Sequence, residues 1–371
     1  MAASSMTGDE LGARPRRGLR LLAFAYFGFF AGLVLLGIAV VLWGDPRAGE
    51  PMVRFTLAQT PRSLATTPVH LPPTSPATPA NPVAKPGEPT PPPAIVPPEV
   101  TQPVYAGAAL VADPALIEKT DNGPLPRIAA DGTPPQRAYA APALENGHPR
   151  IAIVISGLGI SAKMTAAALA SLPPQVTLAF APYASDVQRW VGEARREGHE
   201  VLVEVPMEPY DFPDSDPGPH TLRSGVGEDA NTERLVWSLT RFTGYTGVTN
   251  LLGGRLLSDP DTLEPVLTYL ARRGLLFYDN GAASHSAAPD VAARTGVSFA
   301  QATATIDTIE TAMEIDRQLS ELENAARAHG SASGAGFIRP ITIERVSQWA
   351  QGLPGRGFVL VPASAIVLPK K

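Results

Sequence analysis

The chain contains no cysteine. That excludes disulfides, thiolate nucleophiles and Cys-ligated zinc, but leaves the compartment open, because an extracytoplasmic protein without cysteines is ordinary. Aromatic residues are scarce at 6%, and charged residues make up only 18% of the 371 positions. The net charge is −5, with no basic block beyond the N-terminus, which argues against nucleic acid as a partner.

Proline is plentiful and unevenly placed. Of 40 prolines, 16 fall in residues 45–100 and eight more in 101–149. A stretch so rich in Pro, Ala and Thr, and so poor in large apolar residues, cannot bury enough surface to offset its chain entropy. Residues 44–104 therefore read as a disordered Pro-rich linker that favours extended polyproline II, at about 3 Å per residue. The foldable part is then roughly 150–368, enough for one sizeable core.

Ahead of the linker, Leu21 to Trp43 is an apolar run without a single charge. It is long enough to cross a bilayer core at about 1.5 Å per residue. Arg14, Arg16, Arg17 and Arg20 precede it, so residues 1–20 are expected in the cytoplasm and everything after Trp43 outside. A cleaved signal peptide is the competing reading. The run is long for an h-region, and no A-x-A-like site follows it. The expectation is a single-pass anchor in the cytoplasmic membrane, with the C-terminal domain periplasmic.

Residues 105–149 bring back apolar anchors (Tyr105, Leu110, Ile117, Leu125, Ile128, Tyr139) among turn residues, and read as an extended arm lying on the domain. From Arg150 the pattern becomes regular. Ile151–Ile155 is a short apolar, β-branched run ended by Ser156-Gly157, as suits a strand buried on both faces. Strand-like runs at 176–180, 200–205, 245–251, 275–278, 297–306, 336–338 and 358–361 alternate with helical patterns at 161–172, 185–197, 231–242, 261–273 and 307–329. Such alternation predicts parallel strands with crossover helices, an α/β fold that is either a barrel or an open sheet.

Six segments occur in a characteristic order: Ile151–Gly159, Gly198–Pro209, Asp216–Leu222, Gly247–Gly253, Gly274–Asp279 and Gly336–Pro340. Together they resemble the divergent polysaccharide deacetylase family, within the NodB-like polysaccharide deacetylase superfamily. The resemblance implies a distorted (β/α) barrel of about seven strands acting in carbohydrate metabolism of the cell envelope. It also implies a divalent metal held by an Asp and two His, with a second Asp as base on metal-bound water. Such a metal lowers the pKa of its water and polarises the carbonyl.

The chain departs from that pattern at the functional positions. Where the family has Asp-Asp at the end of its first strand, this chain has Ser156-Gly157. Leu251 and Glu204 stand where His is expected, and Gly336-Phe-Ile-Arg-Pro340 replaces a Gly-His-Pro-His-Pro run. Leu and Phe cannot ligate zinc, and Ser or Arg does not replace a carboxylate or imidazole. No metal or other cofactor is expected.

Polar residues nevertheless remain at the strand ends. Ser156, Tyr183, Glu204, Glu208, Asn250, Asp279 and Arg339 are candidates for a binding cleft, with Asp307, Tyr210, Phe212 and His220 nearby. Glu204, Glu208 and Asp279 are the candidates for any rebuilt catalytic centre. Alternatively, Glu204 and Asp279 with Arg339 make a buried ion pair in place of the metal. Asp211, Asp214 and Asp216 have the look of a hard-cation loop but lack the Gly and terminal Glu of an EF-hand, so a surface loop is expected. The leading expectation is a tethered, non-catalytic domain that binds peptidoglycan, another envelope glycan or an envelope protein. A deacetylase or hydrolase with a rebuilt site, or a structural envelope scaffold, are the alternatives.

Overall fold

The computed structural model describes residues 112–367 apart from residue 145. The expected membrane anchor at 21–43, the linker at 44–104 and the first residues of the arm lie outside the described residues. Among the described residues, no helix is long and apolar enough to cross a membrane.

The rest of the arm includes a small antiparallel hairpin, β1 (Ile117–Thr120) and β2 (Gly123–Pro126), and a one-turn helix, Pro135–Ala138. It is fixed to the domain by burial of Leu116, Leu125 and Tyr139, each 3% exposed or less. The Arg195 guanidinium also donates to the Tyr139 carbonyl at 2.5 Å.

The strands that follow are β3 (Arg150–Leu158), β4 (Thr177–Phe180), β5 (Val201–Met207), β6 (Gly247–Leu252), β7 (Leu276–Asp279), β8 (Ser298–Gln301), β9 (Ala304–Thr305), β10 (Ser331–Phe337) and β11 (Val359–Val361). They form one parallel sheet in the order β8-β7-β6-β5-β4-β3-β10-β9, with β11 pairing the first residues of β3. Eight strands thus lie along the path, one more than the expected seven or so, curled into a half-barrel. Its two edge strands are consecutive in the chain. Ala302 N–H donates to the Asp279 carbonyl at 2.8 Å, and Thr303 N–H to the Ser333 carbonyl at 2.7 Å, so one short segment passes from β7 to β10.

The two faces of the sheet are packed differently. On the outer face, Ile151, Ile153, Ile155, Val203, Val205 and Phe277 pack against helix residues such as Val191, Leu267 and Leu319. The inner face carries smaller side chains, among them Ala152, Val154 and Ala335, with Leu202, Leu276 and Tyr278. Val361, Ala363 and Ile366 from the C-terminal segment close it. This explains why β3 is apolar at every position, since a strand covered on both sides has no solvent face to alternate with.

Several boundaries differ from the expected ones for local reasons. The long helix runs Ala312–His329 and not from Asp307, because Thr311 is extended and its hydroxyl caps the Glu314 N–H. Helices Ala288–Thr295 and Pro340–Gly352 are additional elements. Strand β10 begins five residues before the expected Gly336.

Candidate functional site

The C-terminal ends of β3, β5, β6, β7 and β10 converge on one mouth, where ligand sites lie in sheets of this kind. Glu204 lies within β5, a strand buried along its whole length. Its Oε1 accepts the Gly157 N–H at 3.1 Å, reaching past β4 to the end of β3. Its Oε2 is buried with no hydrogen-bond partner. Burial pushes the Glu204 carboxyl up to about 8, against the smaller lowering effects of the Gly157 N–H and the Ser156 hydroxyl. Burial thus favours the neutral form of Glu204.

Thr249, directly opposite Glu204 in the β5–β6 register, also has a buried hydroxyl without a partner. Next in register comes Tyr278, whose hydroxyl is bonded to Ser333 Oγ at 2.7 Å on the opposite strand β10. A buried row thus runs from Ser156 through Glu204 and Thr249 to Tyr278.

The other sequence candidates are tied to separate partners. Glu208, just past β5, accepts the Ser224 N–H at 2.6 Å and faces Arg255 Nε at 3.7 Å. It has no partner in common with Glu204. Asp279 accepts the Gly281 N–H at 2.9 Å and Gln301 Nε2 at 3.2 Å. Asn250 is clasped by Asn280, a residue the sequence reading missed. Asn280 N–H donates to Asn250 Oδ1 at 3.0 Å, and Asn250 Nδ2 donates to Asn280 Oδ1 at 2.7 Å.

Arg339 is engaged away from the expected ion pair. It pairs with Asp307 at 2.9 Å and Glu310 at 2.8 Å, and not with Glu204 or Asp279. The reason is local. Asp307 is fixed by Phe337 N–H, Arg339 and the Thr342 hydroxyl, all within 2.9 Å of its Oδ2. Among the described residues, no cation pairs with Glu204.

Tyr183 belongs to a second cluster with two rings from other elements. His220 stacks on Trp237 at 3.6 Å between centroids, and Tyr183 lies 5.0 Å from Trp237. The Tyr183 hydroxyl accepts the His220 N–H at 3.2 Å. Trp237 escaped the sequence reading because it sits inside a helix, Glu228–Leu239, whose pattern marks only packing. In the acidic loop, Asp211 accepts the Ser215 hydroxyl and Asp216 the Gly218 N–H, which are turn contacts.

The donors at the mouth do not fit a metal. At the positions where the resemblance implies ligands and a base stand Ser156, Gly157, Glu204, Leu251, Phe337 and Arg339. A Cβ added to Gly157 would overlap the Phe337 ring and lie 3.0 Å from Ile338. Gly157 also has φ +86°, a conformation that side chains rarely adopt. The space an aspartate would need is thus filled by an aromatic ring. Among the described residues, no three of His, Cys, Asp and Glu come together as a metal-holding group.

Comparisons with known proteins agree with the ordered segments. The model of the family described as divergent polysaccharide deacetylase matches residues 153–367. A Haemophilus influenzae protein is 27% identical over 205 residues, covering 55% of this chain and 72% of its own. YibQ of Escherichia coli is 27% identical over 219 residues, covering 59% and 67%. A crystal structure of an Agrobacterium tumefaciens protein is 40% identical with a TM-score of 0.65, covering 66% of this chain and all of that one. The chain belongs to the divergent polysaccharide deacetylase family.

Proposed function

We propose that this chain carries a non-catalytic member of its family, held outside the cytoplasmic membrane by the 21–43 anchor, that binds an envelope glycan at the sheet mouth. The observation that carries the non-catalytic reading is the interlock of Phe337 with Gly157. The carboxylate expected on β3 is replaced by a glycine, and the Phe337 ring lies where its side chain would start. The donor set left at the mouth, with Leu251, Phe337 and Arg339 at three of the implied ligand positions, does not suit the metal-activated water on which amide hydrolysis by this fold would rely.

The glycan reading rests on the rim. Phe337, Tyr183 and Tyr210 are 39%, 36% and 57% exposed on loops or ends that follow β10, β4 and β5. Exposed rings after the strand ends suit the apolar faces of a saccharide. Peptidoglycan is the envelope glycan within reach of such a tether.

The test uses the full chain with a tetramer of N-acetylglucosamine in the presence of zinc. Saturable binding without acetate release is expected. Release of acetate in step with bound zinc would restore the alternative, a deacetylase with a rebuilt site.

A further inference from the structure

The sequence holds three Asn-Gly pairs, Asn122-Gly123, Asn146-Gly147 and Asn280-Gly281. Such a pair sets a nucleophile beside an electrophile. The glycine nitrogen can reach the side-chain amide carbon of the asparagine before it, and the absent Cβ removes the crowding that hinders this approach elsewhere. Side chain and peptide must rotate together to react, so local contacts decide which pair is free to do so.

Asn280 is held on every side. Its Oδ1 accepts Asn250 Nδ2 at 2.7 Å and the Ala282 N–H at 3.0 Å. Its Nδ2 donates to the Asn250 carbonyl at 2.8 Å, and its own N–H donates to Asn250 Oδ1 at 3.0 Å. At Asn122 the glycine is the held partner. Gly123 is the first residue of β2, paired with Thr120, whose hydroxyl donates to the Gly123 carbonyl at 2.8 Å. A Cβ there would lie 3.3 Å from Thr240, so this peptide is wedged against the domain.

Asn146-Gly147 has neither constraint. It lies in the stretch that joins the arm to β3, where Asn146, Gly147 and His148 are all exposed. Nothing stands within 4 Å of the place a Cβ on Gly147 would take. Asn146 Oδ1 accepts the His148 N–H at 3.2 Å, an asparagine turn that folds the side chain back toward the Gly147 peptide.

We propose that Asn146 is a self-modifying site, which deamidates spontaneously in the folded protein while Asn122 and Asn280 are protected by the contacts that hold them. The Gly147 nitrogen bonds to the Asn146 side-chain amide carbon, and the bond from that carbon to Nδ2 breaks. Ammonia leaves, carrying the proton lost by the Gly147 nitrogen, and a five-membered succinimide remains. Water then adds to one of the two succinimide carbonyls and opens the ring to aspartate or isoaspartate. The net change is one water consumed and one ammonia released, with no oxidant or reductant.

The product places a carboxylate four residues before Arg150, whose guanidinium donates to the Ala365 carbonyl at 2.8 Å. The isoaspartate form also routes the main chain through the former side chain. Both changes fall at the joint between arm and barrel, away from Leu116, Leu125 and Tyr139, the buried residues that keep the arm docked.

The experiment incubates the full chain in mildly alkaline buffer, with and without urea, and digests samples briefly with trypsin at intervals. The three pairs fall in separate peptides, 120–127, 138–150 and 274–294, so mass spectrometry reads the amide-to-carboxyl change at each one. In the folded chain, conversion in 138–150 is expected to outpace 274–294 by about 100-fold, as for three side-chain hydrogen bonds that must first open. It should outpace 120–127 by about 10-fold, as for one. In urea the three rates converge. Asn146→Gln abolishes the change in its own peptide and leaves the other two rates as they were. Either of the other peptides keeping pace with 138–150 in the folded chain would overturn the proposal. So would a 138–150 peptide that reacts in urea but stays unmodified in the folded chain, because the turn would then protect Asn146.

Discussion

The Phe337 ring occupies the position from which a side chain at residue 157 would start. Two substitutions far apart in sequence, one at the end of β3 and one at the end of β10, are thus halves of one packing solution. Phe337 is in direct register with Ser156, the residue before the glycine. A side chain at 157 can be admitted only if the Phe337 ring moves aside.

Gly157→Asp is accordingly expected to destabilise the domain by about 2–4 kcal/mol, from overlap with the ring and from the left-handed backbone. Combined with Phe337→Ala, the loss should be smaller than the sum of the two single changes. A double-mutant cycle in urea measures the coupling. Strict additivity would show that the two residues are independent.

Glu204 gives a pH signature of known sign. Its folded carboxyl titrates near 8, well above the ordinary value of 4.5. The folded state therefore binds more protons than the unfolded chain between those values. The stability associated with the neutral form is complete below about pH 4.5 and is lost as pH rises through 8. Glu204→Gln removes that dependence. The variant should exceed the wild type in stability at pH 8.5 by an amount on the order of a few kcal/mol, with the gap closing toward pH 5. Parallel denaturation profiles for the two proteins would contradict a buried neutral Glu204.

His199 acts in the opposite pH range. Burial lowers it to about 4, and its Nδ1 lies 2.8 Å from the Val176 carbonyl. The unfolded chain takes up a proton near pH 6.5 that the folded state refuses until about 4. Stability should therefore decline as pH falls from about 6.5 to 4, and His199→Gln should flatten that limb of the profile. Thermal melts between pH 4 and 7 check it.

Asp307 collects three donors on one oxygen while only 3% exposed. Asp307→Asn keeps the shape but removes the charge opposite Arg339 and turns one acceptor face into a donor. A loss of about 2–4 kcal/mol is expected. Chemical denaturation measures it, and no change would mean that Arg339 and the end of β10 are held by other contacts.

Much of the architecture is legible in the sequence. Ile151–Ile155 and Val201–Val205 announce buried parallel strands because β-branched runs fill both faces at once. Strand β10 is not legible in its first half, since Ser331-Ala-Ser-Gly-Ala-Gly336 lacks any large apolar residue. It is a strand because its neighbours need the room. A Cβ on Gly334 would crowd Leu322, Ile306 and Ile153. Helix Pro340–Gly352 starts with proline at its first position, a signal easily read as a turn.

The site is only half legible. Each replaced ligand position shows in the sequence, but the interlock of Gly157 with Phe337 is a contact across some 180 residues, and no local pattern announces it. Arg339 likewise reads as a partner for any nearby acid, and only the fold places it on Asp307 and Glu310. The unmet oxygen of Glu204 is equally invisible in sequence. A buried carboxylate and a solvated one are the same letter.

Zinc content is the measurement that bears most directly on the central claim of a mouth rebuilt around an aromatic ring and a neutral acid. The full chain, purified after growth in zinc-supplemented medium, should contain far less than one zinc per chain, and Glu204→Ala should not change that figure. One zinc per chain in the wild type, lost in Glu204→Ala, would contradict the account.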